Sequence, residues 1–455
     1  MTRTAALRLR IKATYGRLGD VAPCTHRQRV WLLGSVVTAF VLRFAWVLYA
    51  ARPNKGKLQD PTLYLFFGNQ IANGEGYRLL GGEPTAYYPV GYPAALGGVF
   101  WLMKHTPIPD DYEKMAGYFN LVLGVATVVV AFEVGRRLFD NRVGLVSAAV
   151  MALYPNLIFH TAVSLTETLF NFLVMAAFLV LVAGSWRERQ LGWKRLALFG
   201  VVLGLSALVR PISLAFLPLL LLVWMLGGWG WHRALRQLGV VVVGAVVVIA
   251  PWTVRNIVVM NSPVVISTNI GDNLCMSRHP DANGAFQLDS PCFQEVDPDA
   301  ERPEFEIERN SRATRKAIEY LVEHPIDEVR LIFWRAFWTL QHDHDGLDAA
   351  ESYRATPFVP DRWRAVLETT ADGYFFATLV LGLLAVGAFW REPRRRFFLL
   401  AMASMAAQPL VFFGDVRFHV PVLPFLALGT AVTLVRLHDA RPARPRPVGE
   451  SAPAG

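Results

Sequence analysis

Apolar runs about as long as a bilayer core is thick recur along the whole chain, separated by short basic segments. A helix of about 20 apolar residues crosses a hydrocarbon core. The pattern predicts an all-α integral membrane protein, a bundle of about ten transmembrane helices. The spans fall at about 31–50, 115–135, 142–160, 166–184, 196–209, 212–228, 237–253, 372–390, 397–413 and 418–436. The apolar stretch 91–104 is short for a crossing and reads as an interfacial helix. Two polar stretches interrupt the bundle. One is a large first outer loop, 51–112, in which Asn73-Gly74-Glu75-Gly76 breaks any helix. The other is an outer loop insertion, 256–369, before the last three spans. Within it, 305–324 and 326–341 have helical spacing, and the second carries charges throughout, which places it at the interface. The chain therefore divides into a cytoplasmic N-terminus (1–30), an N-terminal transmembrane module (31–255), the outer loop region (256–369), C-terminal transmembrane helices (370–436) and a disordered, basic, proline-rich cytoplasmic tail (437–455).

The formal charge of +9 raises the question of nucleic acid. Its distribution answers against it. Segments 1–30, 136–142, 187–195, 233–236, 391–396 and 436–446 hold 24 of the 45 Lys and Arg residues, each beside an apolar run. Such clusters mark cytoplasmic loops, so topology accounts for the charge and both termini lie inside. Counting 91–104 as a span would put Arg136, Arg137 and Arg142 outside. The first apolar run is too long for a signal-peptide core and lacks a small-residue cleavage site, so it reads as a signal anchor.

With this topology the unusual polar residues collect at the outer ends of spans: Asp60, Tyr64, Glu83, His160, Glu167, Arg210, Arg255, Arg417 and His419. They mix acids, bases and aromatics, as a site for a charged, polar substrate requires. A carboxylate such as Asp60 or Glu167 takes a proton from a hydroxyl. Arginines such as Arg255 and Arg417 hold a phosphate and stabilise it as a leaving group. Tyr and Trp stack on a sugar or line a lipid tail. Structural readings stand beside these. Asp60 is a cap residue, Glu167 starts a helix, Arg210-Pro211 is a helix break, Arg255 anchors a span. Arg43, inside the first span, is either functional or reaches to the interface.

His342-Asp343-His344-Asp345 has the ligand types for Zn or Mn. Without further partners at defined spacing it reads as a solvated loop, and no cofactor is expected. Cys275 and Cys292 share the second outer loop, where an oxidising exterior permits a disulfide, and Cys24 is inside. No phosphate-binding loop and no GxSxG element is present.

Several motifs run in order from about 55 to 425. They are Asp60-x-x-x-Tyr64 with Ala72-Asn73-Gly74-Glu75-Gly76-Tyr77, then Tyr88-Pro89-Val90-Gly91-Tyr92-Pro93. Ser164–Phe170, Leu208–Pro211, Pro251–Asn256, Ser267–Leu274 and Asp415–Pro421 follow. The set resembles polytopic glycosyltransferases of the GT-C fold, family 39-like, the bacterial relatives of protein O-mannosyltransferases and lipid A aminoarabinose transferases. The resemblance implies a polyprenyl-phosphate sugar donor, a glycan or lipid acceptor, and chemistry on the outer face of the plasma membrane. It makes Asp60 the base and Glu167 a second acidic site residue. Arg255, Arg417, Arg210, Tyr64 and His419 become candidates for the donor and its phosphate, and Glu83, Tyr88 and Tyr92 for the acceptor or the loop. Pro61 departs from the acidic pair of many relatives, and a protein acceptor is therefore not favoured. A flippase for lipid-linked glycans is the alternative. It needs polar groups on both sides of the midplane, which the one-sided clustering does not provide.

Overall fold

A computed structural model describes residues 21–53, 59–107, 111–184, 186, 189–287, 290–291, 303–352 and 357–440. The segments 1–20 and 441–455, assigned above to the cytoplasmic ends, lie outside the described residues, as does Cys292. Cys275 is disulfide-bonded and Cys24 is free.

The described residues form helices joined by short turns. The first, α1 (His26–Ala50), opens on a capping box in which Thr25 and Gln28 each bond the other's backbone N–H. Helix α2 (Asp60–Asn73) stops at Gly74, whose φ of 76° is left-handed and favours glycine. Helix α3 (Gly91–Lys104) occupies the short apolar stretch. The core helix α4 (Tyr112–Leu138) packs against α1, α5 (Asn141–Leu153) and α7 (Glu167–Val182). Between α5 and α7 lies the short α6 (Pro155–Phe159), continued by a 3-10 turn to Ala162. Helix α8 (Trp193–Val209) crosses α10 (Trp231–Met260) closely, because a Cβ at Gly200 would run into the Val241 carbonyl and one at Gly244 into that of Ala197. Helix α9 (Phe216–Leu226) lies between them in sequence.

Among the described residues, five helices are long and apolar enough to cross a membrane, or six if the bent pair α5–α6 is one span. The protein is thus a multi-pass membrane protein. The spans expected at 166–184 and 212–228 fall on shorter apolar helices, Glu167–Val182 and Pro211–Leu226. Those expected at 196–209 and 397–413 fall on Trp193–Val209 and Pro393–Val411.

The bend between α5 and α6 is 61° and has an identifiable cause. Pro155 has no N–H to give the Met151 carbonyl four residues back, and it pushes Tyr154 to an extended backbone. Arg43 fills the gap. It is 1% exposed, and its guanidinium donates to the carbonyls of Met151 (3.1 Å) and Ala152 (3.2 Å). Neither earlier reading of Arg43 describes this. It is a built-in cap for a broken helix. Replacing Arg43 by Met orphans two buried carbonyls at about 1–3 kcal/mol each. Thermal unfolding of the purified Arg43→Met protein is expected to shift well below wild type. An unchanged midpoint would remove the capping role.

The polar stretch 256–369 holds α11 (Ile270–Cys275), α12 (Pro303–Glu323), α13 (Pro325–Leu340) and α14 (Asp345–Ser352). Helix α13 is built inside out. Ile326, Val329, Phe333 and Phe337 are exposed, while Glu328 and Arg335 are buried. Arg335 holds Glu328 through both nitrogens (2.6 and 3.1 Å), and Arg278 adds a third bond (2.6 Å). The charges in this segment therefore serve internal pairing, and its apolar side faces outward. Helices α15 (Asp361–Leu384), α16 (Val386–Phe389), α17 (Pro393–Val411) and α18 (Leu423–Asp439) complete the bundle, with α18 packed on α5 and α15.

Candidate active site

Four helix boundaries meet at one cluster, and each boundary has a local cause. Asp60 opens α2, with Pro61 behind it in a position where proline starts a helix well. Glu167 opens α7 after the irregular stretch 163–166. Arg210 is extended (φ −145°, ψ 112°) because Pro211 follows. Arg417 follows Asp415, whose carboxylate accepts from the Arg417 amide (2.9 Å) and turns the chain into the 3-10 segment Val416–Val422.

The side chains interlock. Arg417 Nη1 donates to Asp60 Oδ2 at 2.7 Å, and the Tyr88 hydroxyl donates to Asp60 Oδ1 at 2.8 Å. Both Arg417 and Arg210 donate to Glu167 Oε1, and Arg210 Nε also donates to Thr166 Oγ1 (2.9 Å). Two carboxylates and two guanidiniums balance. Exposure is graded through the cluster. The Glu167 side chain is 0% exposed, Arg210 11%, Arg417 20% and Asp60 29%. Glu167 is thus a buried counter-ion, and Asp60 is the more accessible of the two carboxylates. Arg210 Nη1 and Glu167 Oε2 are buried without a hydrogen-bond partner among the described residues. Tyr64 sits edge-on between Tyr88 (5.3 Å) and Tyr92 (5.7 Å) and is buried. Burial and then the Asp60 charge push the Tyr88 phenol well up, so it stays a proton donor to Asp60.

The structure does not bring every predicted residue here. His160 and His419 join a separate buried group with Asp343 and Asp345. Arg255 donates to the carbonyls of Thr85 (2.8 Å) and Tyr77 (2.7 Å), bracing the first loop. Glu83 lies in the turn below it, where its carbonyl accepts from Leu79 N (2.8 Å).

A second network holds that loop, and no motif announced it. Glu306 on α12 accepts from Thr85 Oγ1 (2.6 Å), Ala86 N (3.0 Å) and Thr268 Oγ1. Asp272 accepts from the Tyr87 hydroxyl (2.8 Å) and from Arg309 (2.8 Å). Burial pushes the Glu306 carboxyl up, against these donors. The clamp fixes residues 85–87, next to Tyr88. Gln in place of Glu306 has one acceptor oxygen where the carboxylate has two, and a buried donor left unpaired costs about 1–3 kcal/mol. Hydrogen exchange of the Ala86 amide is expected to speed up about tenfold or more in Glu306→Gln. Unchanged exchange would mean that the clamp does not hold the loop.

A family model described as dolichyl-phosphate-mannose-protein mannosyltransferase matches residues 98–254. The chain is 28% identical over 196 residues to the undecaprenyl phosphate-alpha-4-amino-4-deoxy-L-arabinose arabinosyl transferases of Pseudomonas aeruginosa and Pseudomonas paraeruginosa. These matches cover 37% of this chain and 35% of each relative, so about a third of the curated relatives' length is spanned. Among solved structures, ArnT from Cupriavidus metallidurans bound to undecaprenyl phosphate superposes with a TM-score of 0.55 at 14% identity, covering 89% of this chain and 60% of that one. The Archaeoglobus fulgidus oligosaccharyltransferase in complex with Zn and sulfate gives 0.52 at 14% identity, covering 90% and 49%.

The chain has the GT-C fold. The region matched by the family model contains Glu167 and Arg210 but not Asp60 or Arg417. Within the GT-C bundle the fold assembles the cluster from both sides of that region.

Proposed function

We propose that this protein is a membrane glycosyltransferase that moves a pentose or hexose from a polyprenyl-phosphate carrier to a cell-envelope glycan or lipid, on the outer face of the plasma membrane. The observation that carries the reading is the graded cluster itself, an accessible carboxylate, Asp60, beside two arginines balanced by a buried one, Glu167. The GT-C fold supports it, as do relatives whose names give undecaprenyl or dolichyl phosphate sugars.

The donor phosphate lies against Arg417 and Arg210, whose Nη1 has bonding capacity to offer. Asp60 takes the proton from the acceptor hydroxyl, and the oxygen attacks the anomeric carbon. The bond from that carbon to the phosphate oxygen breaks, and polyprenyl phosphate leaves with the electron pair, stabilised by the guanidiniums. Attack opposite the phosphate inverts the anomeric centre. Tyr88 orients Asp60, and the aromatic trio Tyr64, Tyr88 and Tyr92 forms the wall beside it. In this reading the bond-making step needs no cofactor.

The test is reconstitution of the full chain with radiolabelled polyprenyl-phosphate sugars and a membrane glycan and lipid extract. Label appearing in the extract supports transfer, and comparing pentosyl with hexosyl donors reads the sugar class. Labelled lipid crossing the bilayer with no transfer would overturn the enzyme reading in favour of a flippase.

A further inference from the structure

The HDHD segment does not end in a solvated loop. Asp343 and Asp345 point into the protein and meet His419, Asn156 and His160, all of them buried. Asp343, Asp345 and His419 can each offer a ligand atom such that all three lie within 4.8 Å of one another. We propose that this group binds one divalent transition-metal cation, Zn²⁺ or Mn²⁺, at a site separate from the Asp60–Glu167 cluster.

The argument rests on donors and acceptors. Nδ1 of His419 lies 2.7 Å from the Thr339 carbonyl oxygen. A carbonyl only accepts, so Nδ1 carries the proton. In the neutral ring Nε2 is then a lone pair, and it faces Asp343 Oδ1 at 2.7 Å. A proton on Nε2 bridges this pair in the metal-free protein, and a cation that takes the proton's place would bind the same nitrogen and oxygen. A backbone carbonyl that fixes one ring nitrogen and aims the other is the usual support of a metal-binding histidine. A second observation is independent of the first. Asp343 Oδ2 is fully buried without a hydrogen-bond partner among the described residues. A third concerns charge. Two carboxylates out of water and within a few ångströms repel each other; protonated His160 and His419 offset this in the metal-free protein, and a divalent cation does so with both rings neutral. The surroundings already hold them in place. Asn156 Nδ2 donates to Asp343 Oδ1 (2.5 Å) and Asp345 Oδ1 (2.6 Å), with its own oxygen fixed by Gly346 N (3.0 Å). His160 Nε2 lies 3.0 Å from Asp345 Oδ2 and stands ready as a further nitrogen ligand. Nitrogen and oxygen ligands on one tetrahedral Zn²⁺ sit roughly 3.5 Å apart, so rotamer changes of about an ångström close the set. Mixed imidazole and carboxylate ligands suit Zn and Mn.

A rival cluster, His342, His344 and Asp348, lies nearby and is less buried. It provides the control. The experiment uses the purified full-length protein, stripped with chelator and titrated with Mn²⁺ by electron paramagnetic resonance, and in parallel with Zn²⁺. Wild type is expected to bind about one equivalent at micromolar metal, with nitrogen couplings from imidazole in the pulsed spectrum. Asp343→Asn with His419→Gln is expected to weaken binding at least about tenfold, while His344→Gln leaves it unchanged. No binding of either metal at micromolar concentrations would overturn the proposal. So would binding lost in His344→Gln and kept in the double variant. If the double variant does not fold, the spectrum of His342→Gln with His344→Gln, which removes both imidazoles of the rival cluster, decides. Imidazole couplings support the site, and bound Mn²⁺ without them overturns it.

Discussion

Asp60→Asn is expected to lower sugar transfer by about 10²–10⁴-fold, the usual contribution of a positioned general base. The loss falls on kcat, with the donor KM little changed, because Arg417 and Arg210 remain to hold the phosphate. The fold is expected to survive. Asp60 is partly exposed, and its ion pair with Arg417 is one of several contacts that Arg417 makes. A partly exposed pair of this kind contributes on the order of 1 kcal/mol. Asn also keeps an oxygen for the Tyr88 hydroxyl. The measurement is transfer of labelled sugar by wild type and variant with matched unfolding midpoints. Equal rates would remove Asp60 as the base and make Glu167 the next candidate.

Glu167→Gln is expected to be the most destabilising single change in the site. Glu167 has no exposure and sits between Arg210 and Arg417. Gln is nearly isosteric, so packing is kept and the charge alone is lost. Two guanidiniums then face each other without the buried carboxylate that both of them bond. Breaking a buried pair by removing one partner costs about 3–5 kcal/mol. The double variant Glu167→Gln with Arg210→Met removes the excess charge and is expected to regain part of that loss, while transfer stays low because a phosphate ligand is gone. Unfolding midpoints of the two singles and the double give the coupling directly. A Glu167→Gln protein as stable as wild type would show that Glu167 does not balance the arginines.

The clamp and the cap carry smaller effects but explain more of the chain. Arg43 looked like an isolated charge in a span. Its purpose depends on Pro155, more than a hundred residues away, which breaks α5 and frees the carbonyls that Arg43 takes. Glu306 looked like one of many charges on a polar helix. It turns out to hold the backbone next to Tyr88. Periodicity cannot show either pairing, because each joins residues with no pattern in common.

Local chemistry alone determined a good deal. Runs of apolar residues placed the helices α1, α4, α10 and α18, since length and hydropathy suffice for a bilayer-spanning element. Asn73-Gly74 marked the end of α2 and Arg210-Pro211 a helix break, because proline and glycine constrain the backbone wherever they stand. Residue type also singled out Asp60, Glu167, Arg210 and Arg417 as polar groups at helix ends. Only the tertiary structure decided which of them meet. It put Arg210 on Glu167 and Arg417 across Asp60 and Glu167, and it set Arg255 aside to brace the loop. It moved His419 to Asp343 and turned Asp343 and Asp345 inward. Burial and partner choice are properties of packed helices, and a charge takes its meaning from the group that faces it.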